Sequence, residues 1–146
     1  MATGDRNDPY SAFNFVLDVE GLGQSAGFSE CSGLTTETDV IEYRNGDEDI
    51  TVRKLPGLKK FTNISLKRGF TDNKELWEWR KKVIDGQTER KSGTITLLDE
   101  ARNVALRWTF REGWPSKWEG PSLNAKNNEV AIETLEIAVE GLALEA

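Results

Sequence analysis

Residues 129–144, EVAIETLEIAVEGLAL, decide whether this chain is built from strands to its end or closes on a second helix, because they read two ways. Leu135, Ile137 and Val139 alternate with the period of two that marks a half-buried strand. Ile132, Leu135, Val139 and Leu142 also fall on one helical stripe. The β-branched residues and Gly141 disfavour a helix interior, so the stretch is read as a strand, with a bulge between Ile132 and Leu135 absorbing the change of phase.

The segments upstream carry the same signature. Val104, Leu106, Trp108 and Phe110 align on one face of a strand that forms a hairpin with Ile95–Leu98, and Phe13, Phe15, Leu17 and Val19 alternate up to a breaker at Gly21–Gly23. Phe28 to Tyr43 reads as extended, with a turn at Ser32-Gly33. Asn45-Gly46 supplies a tight-turn signal, and Ile50 and Val52 begin the return, which Leu55-Pro56-Gly57 interrupts. A further strand is expected over Phe61 to Gly69, with Thr62, Ile64 and Leu66 on one face. One helix is expected at about 73–85: Asp72 and Glu75 resemble a capping box, Leu76, Trp79 and Val83 share a face, and Gly86 stands where a C-terminal cap belongs. Seven or so short strands with one helix indicate a mainly β fold, a two-sheet barrel or sandwich with one flanking α-helix, in a single domain over 1–146.

Composition narrows the chemistry. The chain has no histidine, which removes the usual general base and the commonest metal ligand. Its single cysteine, Cys31, cannot form an internal disulfide and has no histidine to activate it. No apolar run approaches the roughly 18 residues of a membrane span, and MATGDRNDPYSAF offers no secretory core, so a soluble product without membrane insertion is expected.

The net charge of −6 conceals a pattern. Residues 1–43 carry one base and eight acids (−7), residues 44–128 eighteen bases and twelve acids (+6), and residues 129–146 five acids and no base (−5). A basic centre between acidic ends suits a protein whose one face meets a different face of its neighbour, while a well-solvated surface accounts for the same numbers.

Four local features are weighed as sites. Gly21-Leu22-Gly23-Gln24-Ser25-Ala26 matches a dinucleotide fingerprint, but no helix-like segment follows to receive a pyrophosphate, so it reads as a turn between strands. Asp47-Glu48-Asp49 lacks the spaced oxygen ligands of a calcium loop. Cys31 reads as a buried or incidental thiol. Trp114 and Trp118, beside Glu112 and Glu119, give the alternative reading, a carbohydrate-binding β-sandwich with an aromatic platform. No catalytic, cofactor or metal residue is assigned, and no enzyme activity is expected.

Several segments in order resemble the tail tube proteins of contractile phages and phage-like injection systems. They are Asp8-Pro9-Tyr10, Gly27-Phe28-Ser29-Glu30-Cys31-Ser32-Gly33-Leu34, Glu42-Tyr43-Arg44-Asn45-Gly46, Arg53-Lys54-Leu55-Pro56-Gly57, Ile64-Ser65-Leu66-Lys67-Arg68-Gly69, Leu76-Trp77-Glu78-Trp79, Gly113-Trp114-Pro115, Ala131-Ile132-Glu133 and Leu135-Glu136-Ile137-Ala138. Cys31 departs from the small apolar residue expected there.

That family's fold is related to the haemolysin-coregulated protein of type VI secretion. The resemblance implies six copies in a ring, rings stacked head to tail into a hollow inner tube, and a conduit for DNA or protein cargo that passes without specific binding. The implied partners are the chain itself, a contractile sheath protein, and baseplate, spike and tape-measure components. The implied location is assembly in the bacterial cytoplasm, then a phage tail or an extracellular or cell-anchored particle. The resemblance also implies an extended hairpin arm at about 43–60 that reaches the adjacent subunit or ring, carried by Tyr43, Arg44, Asn45, Gly46, Arg53, Lys54, Leu55, Pro56, Gly57, Lys59 and Lys60. Head-to-tail stacking does not close, and so makes filaments.

Overall fold

Ten strands and one helix follow one another among the residues that the computed structural model describes, 8–12, 14–22, 24–25, 28–44, 46, 52–126 and 129–145. They are β1 (Phe15–Val19), β2 (Gln24–Ser25), β3 (Phe28–Ser32), β4 (Thr36–Tyr43), β5 (Arg53–Phe61), β6 (Ile64–Gly69), α1 (Glu75–Ile84), β7 (Lys91–Leu98), β8 (Val104–Glu119), β9 (Ile132–Ala138) and β10 (Gly141–Glu145). All the ladders are antiparallel.

β8 is the strand the architecture turns on. Its first part lies between β7 and β10, whereas its last part, from Trp114, pairs with β9. One sheet therefore runs β2-β1-β7-β8-β10 and the other β8-β9-β6-β3, with β8 common to both. The crossing falls at Glu112, whose φ is +52°, and at Gly113, where a Cβ would stand 2.7 Å from Phe110 Cε1 and 2.9 Å from Ile137 Cγ2. Gly93 on β7 leaves room for the same ring from the other side. Phe110 is thereby sealed at the bend, and Leu17, Val19, Ile64, Leu66, Ile95, Leu135 and Ile137 complete the core from both sheets. Trp114-Pro115 is part of this strand; the proline sits beside an irregularity in the β8–β9 register, where a missing amide is tolerated.

α1 covers the core with Leu76 and Trp79, and Trp79 Nε1–H donates to the Glu89 carbonyl at 2.8 Å. The helix does not start on an Asp72 capping box: its N-cap is Lys74, which makes no side-chain cap hydrogen bond, and Asn73 Oδ1 just outside it accepts from the Glu75 amide at 2.9 Å. Its end is a Schellman turn, in which the Gly86 amide reaches the Val83 carbonyl and the Gln87 amide the Lys82 carbonyl, with Gly86 at φ +81°. Beyond it Glu89 accepts from both Lys82 and Lys91, tying the last helical turn to the start of β7. Those two hydrogen bonds, then the two charges, hold the Glu89 carboxyl at about 2, down from an ordinary 4.5.

The C-terminal stretch is extended, but it forms two strands, and there is no bulge between Ile132 and Leu135. β6 and β9 stay in register from Gly69↔Ile132 to Ile64↔Ile137. The phase is kept because Glu133, not Ile132, occupies the inward position before Leu135. Glu133 is 1% exposed and its cross-strand partner Arg68 7% exposed. Arg68 Nε donates to Glu133 Oε2 at 2.9 Å, and Trp118 Nε1–H donates to Oε1 at 3.0 Å, so both carboxylate oxygens are satisfied. The strand expected over Phe61–Gly69 is likewise interrupted at Thr62-Asn63: Phe61 closes β5, and the inward set of β6 is Ile64, Leu66 and Arg68.

Removing one member of a buried, hydrogen-bonded pair leaves the other charge uncompensated. Glu133→Leu is expected to lower stability by about 3–5 kcal/mol, and the double variant Arg68→Met/Glu133→Leu to recover most of it, as read by urea denaturation. Glu89 gives a pH dependence of known sign. Its folded value lies below the unfolded one, so its stabilisation is complete above about 4.5 and is lost as pH falls towards about 2. Glu89→Gln is expected to flatten the acid limb of a melting temperature–pH profile in that window; an unchanged limb contradicts the assignment.

Candidate assembly surface

β4 and β5 form a two-stranded ribbon outside both main sheets. Its ladder runs from Thr36↔Phe61 to Tyr43↔Arg53, so the ribbon takes in residues 36–61, wider than the segment 43–60. The described ladder ends at the Tyr43–Arg53 rung; Asn45, and with it the expected Asn45-Gly46 turn, and 47–51, with the acidic run Asp47-Glu48-Asp49, lie outside the described residues. Gly46 and Arg44 are exposed at that end.

Pro56-Gly57 does not interrupt β5. Thr38 pairs with Lys59 and Val40 with Pro56, so β5 carries one extra residue and bulges. Proline is accommodated because each strand of a two-stranded ribbon is an edge, and Gly57 because a Cβ there would crowd the Asp39 carbonyl and Ile41 Cγ1 at 3.1 Å each.

Two bases of the ribbon stand opposite acids within it. Lys54 stands opposite Glu42, and Lys60 opposite Glu37. Lys60 Nζ lies 2.9 Å from Asp39 Oδ1, and this hydrogen bond raises the lysine pKa above its ordinary value. Lys59 faces Thr38 and Arg53 faces Tyr43. Glu37, Asp39 and Glu42 therefore offset most of the charge of Arg53, Lys54, Lys59 and Lys60.

The ribbon also exposes Val40, Ile41 and Leu58, apolar residues outside the set that the resemblance assigns to the arm. Ile41 pairs with Leu55 beside the Tyr43–Arg53 rung, and Leu58, Val40 and Ile41 are 75%, 62% and 51% exposed. A sequence signal was present, since Val40-Ile41 is an apolar pair inside an otherwise polar strand. At the ribbon's base, Thr62 Oγ1–H donates to the Gly33 carbonyl at 3.0 Å, and Gly33 holds φ +88° against the Asn63 backbone, fixing where the ribbon leaves the body.

The other sequence features are absorbed by the fold. Gly21 turns the chain at φ +80° between β1 and β2, so no helix begins where a dinucleotide would need one; Gly23 and Ala26 lie outside the described residues. Burial raises the Cys31 thiol to about 11, which leaves it protonated at neutral pH. Trp118 is no sugar platform: Trp77 packs on it at 4.9 Å and Phe70 meets it edge-on at 5.9 Å between ring centroids, while Glu133 takes its N–H. Trp114 is half-buried in β8. No helix among the described residues is long and apolar enough to cross a membrane.

This arrangement of shared strand, flanking helix and projecting ribbon has relatives. The profile of the T4-like virus tail tube protein gp19 matches residues 11–143. The chain belongs to that tail tube family. Among solved structures, a chain of an extracellular contractile injection system, the PVC sheath-tube complex in its extended state, matches at a TM-score of 0.85 and 28% identity over 94% of this chain and 92% of that one. A chain of the anti-feeding prophage tube-terminating cap matches at 0.85 and 28% over 100% and 99%. Hcp1 from Flavobacterium johnsoniae, at 0.57 and 18% over 89% and 93%, shares the fold. No curated protein matches. The tail tube protein is thus a structural component of the tube class, and the carbohydrate-binding reading has no support.

Proposed function

We propose that this tail tube protein is a protomer of the inner tube of a contractile injection particle, six copies forming a ring and rings stacking head to tail into a hollow conduit. The observation that carries the reading is the likeness over nearly the whole chain to a protein of the PVC sheath-tube complex, not to an isolated motif. The edges of β3 and β10 that carry no described partner strand suit it, since a neighbouring copy continuing a sheet would satisfy their amides and carbonyls. The protein works without catalysis, by assembly.

Its partners are further copies of itself, the sheath that surrounds the tube, and the baseplate, spike and tape-measure components at the tube's ends. DNA or protein cargo passes through the lumen without a specific site, eased by acidic surface that repels phosphate. Rings assemble in the bacterial cytoplasm and reach the outside within the particle. The ribbon residues Tyr43–Gly46, Arg53–Gly57, Lys59 and Lys60 make the contact with the adjacent subunit or ring.

Negative-stain microscopy of the purified protein tests the reading directly: rings about six-fold in symmetry, or tubes, are expected, whereas a persistent monomer at high concentration would sink it. Reversing Arg53 and Lys54 to glutamate is expected to leave the circular dichroism spectrum unchanged and to shorten or thin out the tubes. Because Glu42 on β4 already faces Lys54, the loss should be partial, and tubes of normal number and length would remove the ribbon's charges from the interface.

A further inference from the structure

We draw no further inference here: the strongest candidate, the apolar cleft of about 240 Å³ between the two sheets, walled by Phe15, Cys31, Leu34, Leu97 and Trp108, carries none, because nothing in the structure shows what covers it.

Discussion

The close approach of Phe110 to two glycines is the constraint on which the two-sheet arrangement depends. A sixteen-residue strand can serve both sheets only if it bends between them, and the bend at Glu112-Gly113 brings backbone against the Phe110 ring where any side chain on Gly113 would intrude. Gly93 makes the same concession from β7. Protein interiors pack too densely to absorb a misplaced methyl at such a point. With the corner sealed, β7 and β10 flank the first part of β8, β9 flanks the last part, and the helix lies across the join.

Opposite the bend, the second sheet is held by a polar contact rather than an apolar one. Arg68 and Glu133 face each other across β6 and β9 inside the sandwich, and Trp118 completes the carboxylate's hydrogen bonds from the end of β8. The pair therefore links three strands in one geometry. Trp118 in turn carries the ring contacts of Trp77 on the helix and Phe70 after β6, so the aromatic cluster, the buried pair and the helix position constrain one another. This is why the tryptophans that resemble an exposed platform in the sequence belong to packing.

The alternating apolar pairs were legible residue by residue: Leu17 and Val19, Ile64 and Leu66, Leu135 and Ile137 all point inward, because in a half-buried strand apolar character and direction coincide. Arg68 and Glu133 broke that equivalence. Each reads as a surface residue until paired with a partner 65 positions away, and the pattern around Glu133 then looks like a shift of phase. Pro56 failed for a related reason. A local rule treats proline as a stop, yet an edge or a bulge leaves its missing amide without cost, and only the sheet reveals which positions those are. On the ribbon, the basic residues stood out along the chain, while the acids that offset them became visible only through the register that sets β4 against β5.

That register has a consequence for symmetry. The acids of the ribbon lie on β4 and the bases on β5, so its two long sides differ in sign. Two copies brought together by a two-fold axis would set acid against acid or base against base, and like charges directly opposed across strands are unfavourable. Copies related by a rotation that repeats in one direction meet unlike sides instead. The ribbon thus carries a bias against the closed dimer, the commonest end-point of protein self-association, and keeps the subunit available for an assembly that continues.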